Sequence, residues 1–190
     1  MTDTFLPQGY REPSFSNYMK FSDGENTFRV LSDAIVGWEW WEETTNEDGN
    51  KGRKPVRVRE FDEVPVEVIA RTGKDKVKHF WAFVVYNVQE DRIQILEITQ
   101  SSIRDGINTL IKSKSWGDPK GYDIVITKTG EDLETKYNVM PAKPTEVKKE
   151  IVSKYKAMNI NLEAMYEGKD PFENIEKSNI DEVVDAIPID

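Results

Sequence analysis

The chain has 190 residues, 37% hydrophobic and 32% charged, with a net charge of −9, which gives room for one domain and a tail. It has no cysteine and one histidine, His79, which excludes disulfides, thiol catalysis, cysteine zinc sites and histidine-rich metal sites. No apolar run approaches the roughly 18 residues that span a bilayer, and Met1–Phe5 lacks a basic-then-apolar order. A soluble, cytoplasmic protein is expected.

Residues 1–25 read as an irregular segment that packs on the body: Pro7, Gly9, Pro13 and Gly24 separate Phe5, Tyr10, Phe15, Tyr18 and Phe21. Thr27–Leu31 and Ile35–Trp41 are rich in β-branched and aromatic residues and read as strands. Gly37 inside the second run points to a bulge or a sharp coil. Thr44–Gly52 is a polar loop. Lys54–Glu60 alternates, with Val56 and Val58 on one face and Arg57 and Arg59 on the other. Val64–Ala70 reads as further strand, and Arg71–Lys76 as a turn with basic flanks. His79–Tyr86 is the strongest strand, and Arg92–Thr99 pairs with it as a hairpin. At Ser102–Lys114 the period changes: Ile103, Ile107, Leu110 and Ile111 make an amphipathic helix, with Ser102 as N-cap. Tyr122–Thr129 and Leu133–Met140 form a second hairpin around Gly130. Pro144–Met158 reads as a helix.

The expected fold is therefore mainly β: an OB-fold five-stranded barrel with one helix between strands 3 and 4, an additional C-terminal helix and a disordered acidic tail. The boundaries follow: 1–25 irregular N-terminal segment, 26–142 barrel, 143–168 C-terminal helical segment, 169–190 flexible tail. Val56, Val58, Ile103, Ile107, Leu110, Ile124 and Ile126 are expected in the core. The net charge first argues against a polyanionic ligand. Yet residues 170–190 hold seven acids and one base, a net −6, which leaves the other 169 residues at −3.

Three features bear on function. Trp38, Trp40 and Trp41 share one strand and Trp81 lies on another. Alternation puts Trp38 and Trp40 on one face and Trp41 on the other. One interior cannot hold both sets, and an exposed strand tryptophan suits base stacking. The alternative for each ring is packing under the N-terminal segment or a helix. Lys51, Arg53, Lys54, Arg57 and Arg59 cluster on the first loop and the following strand. Arg71, Lys74, Lys76 and Lys78 cluster at the next loop, beside His79. Bases interleaved with aromatics describe a groove that holds phosphates and stacks bases; the alternative is an ordinary solvated hairpin. The expected DNA-contacting set is Trp38, Trp40, Trp41, Lys51, Arg53, Lys54, Arg57, Arg59, Lys76, Lys78, His79 and Trp81. Finally, the tail mixes acids with Val183, Val184, Ile187, Pro188 and Ile189. That composition suits a peptide that docks in a partner's basic, apolar pocket, through Asp185, Ile187, Pro188, Ile189 and Asp190. No P-loop, Gly-x-Ser-x-Gly or His-Glu-x-x-His occurs, so no catalytic residue, metal or cofactor is expected. Two rival readings stay open. One is a metal-dependent nuclease or DNA-processing enzyme using Asp62, Glu63 and Glu67. The other is a non-DNA OB-like interaction module.

With these residues in view, the chain resembles the OB-fold single-stranded-DNA-binding proteins of tailed bacteriophages. The resembling stretches are Asn26–Ser32 with Gly37–Trp41, Lys78–Asn87, Gln94–Gln100, and Trp116–Pro119 with Gly121–Ile124. The end, Ala186-Ile-Pro-Ile-Asp190, is similar to the Asp-Ile-Pro-Phe end of bacterial single-stranded-DNA-binding proteins but lacks the terminal Phe. The resemblance implies sequence-independent coating of single strands during phage DNA replication and recombination in the host cytoplasm. It also implies recruitment of replication or recombination proteins through the tail.

Overall fold

The computed structural model describes residues 16–173. The strands are β1 (Gly24–Val30), β2 (Ile35–Thr45), β3 (Lys51–Arg59), β4 (Lys78–Asn87), β5 (Arg92–Ile98), β6 (Asp123–Thr129) and β7 (Lys136–Pro141). The helices are α1 (Val66–Ile69), α2 (Ser101–Lys112) and α3 (Lys149–Met158). All strand pairs are antiparallel, in the order β3-β2-β4-β1-β6-β7, with β5 on the other side of β4. The protein is thus mainly β. It has seven strands instead of the expected five, and among the described residues no strand pairing closes the sheet into a barrel.

The extra strands have a simple origin. β1 and β2 lie end to end along the same side of β4: Val30 faces Val85 and Ile35 faces Ala82. Four residues, Leu31–Ala34, therefore oppose only Phe83 and Val84, so one long strand is broken in two. Val84 ties the break, donating its N–H to Ser32 Oγ at 2.8 Å and accepting from Leu31 N at 2.9 Å. β3 then folds back on β2 through a tight turn at 46–50. Gly37 marks no bulge, since its register with Arg59 and Phe80 is continuous. Instead a Cβ there would overlap the Val58 carbonyl, so the glycine permits a close approach of β3.

Alternation along β4 and β5 gives the sheet two buried faces. Phe83, Val85, Leu96 and Ile98 join Phe28, Ile124 and Ile126 under α2, whose Ile103, Ile107 and Leu110 are buried there. Phe80, Ala82, Val84, Ile93 and Ile95 point the other way, onto Tyr155, Met158, Ile160, Leu162, Met165, Tyr166 and Phe172. Residues 155–172 of the C-terminal helical segment therefore cover the outer face. Lys169–Glu173 belong with them, because Phe172 is buried. Arg29 fixes the approach to α3: it donates to Asp123 at 2.6 Å and to both Thr145 oxygens at 2.8 Å. Of the N-terminal segment, residues 16–19 run along β5, with Tyr18 bridging Ile95 in parallel and Met19 in the inner core.

Three local expectations are corrected. Val64–Ala70 is not a strand. Pro65 sets φ at −55° and accepts from Val68 and Ile69, so a single helical turn forms. Ser102 does not cap α2; the helix starts one residue earlier, with Gln100 at the N-cap and no side-chain bond. Val56 and Val58 are only half-buried, because β3 pairs with β2 alone and overhangs the core. The expected tail from residue 174 onward lies outside the described residues.

Candidate functional site

The β2–β3 hairpin and the turn at 71–75 enclose an open cleft of about 730 Å³. Trp41, Arg53, Arg71, Thr72 and Lys74 line it together with Glu42, Glu43 and Asp75. Trp41, 39% exposed, is the most exposed of the five tryptophans. It reaches this position through alternation: on the strand where Trp40 turns into buried space, Trp41 turns out. Arg71 Nη1 donates to the Trp41 carbonyl at 3.2 Å, which ties the turn to the strand. Arg53 pairs with Asp75. Both partners are exposed, so the pair contributes roughly 0–1 kcal/mol and exchanges readily for another anion. The cleft thus offers one ring and three cations, matched one for one by three carboxylates.

The other expected residues take different positions. Lys51, Lys54 and Lys76 are exposed but do not line the cleft, and Lys54 lines a separate pocket with Tyr18, Arg57 and Tyr166. Trp40 is buried, with its indole N–H on Glu42 at 2.9 Å. Trp38 is half-buried, edge-on to His79 at 4.9 Å, and donates to the Glu60 carbonyl. His79 sits between Glu60 and Arg104. A guanidinium only donates, so Nδ1 of His79 accepts from Arg104 and the ring proton is on Nε2, facing Glu60. Trp81 is half-buried against the inner core and lines a small apolar pocket of about 200 Å³ with Val30, Phe83, Ile107 and Ile111. None of Trp38, Trp40, His79 or Trp81 enters the cleft.

Arg57 is committed to internal partners, whereas Arg59 makes an exposed ion pair with the C-terminal segment. Arg57 is wedged between two carboxylates, with Nε and Nη2 on Glu97 at 2.9 and 2.7 Å and Nη2 also 2.9 Å from Glu39. The fork is aligned on Glu97, and Glu39 Oε2 has no hydrogen-bond donor. Burial, then the charge of Glu97, push the Glu39 carboxyl up to about 7. Lys78 is half-buried close to this group. Arg59 bonds Glu163 at 2.8 Å and stacks 4.6 Å over Tyr166, whose hydroxyl donates to Val36 O at 2.6 Å. These contacts fasten the C-terminal cover.

Arg71 and Lys74 are cleft residues that the expected DNA-contacting set omits. Their signal was present as bases flanking Gly73. Asp62, Glu63 and Glu67 do not converge; among the described residues no three acidic or histidine side chains are grouped to hold a metal ion. Among the same residues no helix is long and apolar enough to cross a membrane. No protein-family model, curated protein or solved structure matches the chain.

Proposed function

We propose that this protein binds single-stranded DNA without sequence preference and without catalysis, using the cleft between the β2–β3 hairpin and the 71–75 turn. One observation carries the reading: the accessible Trp41 ring lines the same open cleft as Arg53, Arg71 and Lys74. A flat ring stacks any base, worth roughly 1–3 kcal/mol per base, and the cations neutralise phosphates whatever the sequence.

The connectivity supports an OB-like reading. With β1 and β2 taken as one broken first strand, β4 and β5 are the second and third, and β6 and β7 the fourth and fifth. The helix α2 lies between the third and fourth, as in that fold. The pairings of the first strand with β4 and β6, of β4 with β5, and of β6 with β7 are all present. In OB-folds oligonucleotides bind on the face of strands 2 and 3 and on the loop joining strands 1 and 2. Here that face is covered by residues 155–172. The loop joining the first two strands carries β3 and the cleft, which supports the cleft as the binding position.

The biological role proposed is protection of single strands during phage DNA replication and recombination, with residues 185–190 recruiting a partner. Titration with oligo-dT under tryptophan fluorescence is the test. Quenching is expected, much weaker binding to duplex, and loss of affinity in Trp41→Ala. Strand cleavage with Mg²⁺ would point to a nuclease. Absence of both binding and cleavage would point to a non-DNA module. The tail is tested by a chain ending at Glu173, because a cut at Lys169 would remove the buried Phe172. The five acids and one lysine beyond Glu173 act as a tethered polyanion, so their removal should tighten binding at low salt.

A further inference from the structure

The segment after β3 carries an unusual surface. Phe61 is 98% exposed, Val66 76% and Ile69 59%. Val66 and Ile69 are three residues apart on α1 and so share a face, opposite the buried Val68. Isolated exposed apolar residues are ordinary, but three large ones within nine residues mark an interaction surface. Asp62, Glu63 and Glu67 share this stretch, a net −3 across 61–69, with Arg59 next to Asp62.

The opposite end of the sheet carries the complement. β3 is one terminal strand of the order and β7 the other. On β7 the exposed Met140, 56% accessible, pairs across to the half-buried Val125. The same stretch of chain carries Lys136, Lys143, Lys148 and Lys149, all exposed and none in an ion pair among the described residues. With Glu146 the net charge across 136–149 is +3. Each stretch thus combines exposed apolar side chains with a net charge, and the two net signs are opposite.

We infer that a second copy of this chain docks its β7 surface, Met140 and the flanking lysines, on the Phe61–Val66–Ile69 surface of the first. Because the two patches are different and lie at opposite ends of the sheet, the contact is heterologous. It leaves one free patch at each end of every pair and continues head to tail. It needs no nucleic acid, so it is tested apart from the DNA reading.

The test is sedimentation of the full-length protein alone, across a concentration series at low salt. Wild type is expected to grow beyond two chains as concentration rises, and to shrink at high salt as the charges are screened. Phe61→Ser with Ile69→Ser blocks one end; Lys148→Glu with Lys149→Glu blocks the other. All four positions are exposed, and thermal melts check that both variants fold. Each variant alone should stay at the mass of one chain. An equimolar mixture should form dimers and stop, because each variant supplies the intact patch that the other lacks. Wild type at single-chain mass throughout, a plateau at a symmetric dimer, continued growth of either variant alone, or a mixture that does not pair would each overturn the inference.

Discussion

Arg53 and Arg57 stand four residues apart on the same face of β3, and their surroundings give them opposite uses. Arg53 lies at the open end of the hairpin, paired with an exposed aspartate beside the accessible Trp41. Arg57 lies where the hairpin crosses β4, enclosed with Glu39 and Glu97. The difference teaches that a cation's value to a ligand depends on what already holds it. An exposed pair can exchange partners at little cost, whereas a buried guanidinium removed from its carboxylates leaves them uncompensated.

The sharpest way to break the contrast is Arg57→Ala. It should destabilise the fold by about 3 kcal/mol, the lower part of the usual range for breaking a buried pair, because Glu39 relieves the loss by taking a proton. Urea denaturation measures this, and dT affinity per folded molecule should stay unchanged. A loss of dT affinity with stability intact would return Arg57 to the DNA site.

The carboxylate side of the pair gives the next largest effect. Glu39 is held near 7 in the folded protein, above its ordinary 4.5, so the folded state binds the extra proton. The stability this contributes is full below about pH 4.5 and is lost as pH rises through about 7. Glu39→Gln should therefore flatten the fall in stability across that window, stabilising at pH 8 and doing little at pH 4.5. Equal effects at both pH values would show that Glu39 is not the titrating group.

Trp41→Ala should cost roughly 1–3 kcal/mol of dT binding for each base it stacks, with stability moved by no more than about 0.5 kcal/mol. Parallel fluorescence titration and thermal melting separate the two. The smallest effect is in the salt dependence. With Arg53, Arg71 and Lys74 on phosphates, log K should fall against log salt with a slope of roughly −2, from about −0.7 per contact. Replacing Lys74 alone should flatten that slope by about 0.7, equally for all sequences. An unchanged slope would remove Lys74 from the contact set.

The legible parts of the chain were those set by local period. Ile103, Ile107 and Leu110 define α2 without help from elsewhere, and alternation along β4 fixes both of its faces. The split of the three neighbouring tryptophans also follows from alternation, since Trp41 turns out where Trp40 turns in. Alternating Val64, Val66 and Val68 mimicked a strand because the pattern ignores Pro65. What stayed hidden was long-range. Arg57 reads as a free surface cation until Glu97, 40 residues on, is placed beside it. Arg59 meets Glu163 across 104 residues. The C-terminal cover could not be foreseen, because its anchors, Met165, Tyr166 and Phe172, follow no strong amphipathic period and bury only against a sheet already built.

The two-sided burial of β4 and β5 also sets an order of events during synthesis. The hairpin they form is local and closes quickly. Its inner face waits for α2 and β6, and its outer face for residues 155–172, so the emerging chain presents apolar strand on both sides. β1 finishes pairing only when β6 arrives, as Asn26 and Ile126, 100 residues apart, come together. Closing such distant pairs is slow, and exposed apolar strands invite pairing with other chains in the meantime. The last-made segment of the described fold is thus the one that ends this exposure, and a ribosome that stalls before Phe172 releases a chain with one face of its central hairpin still bare.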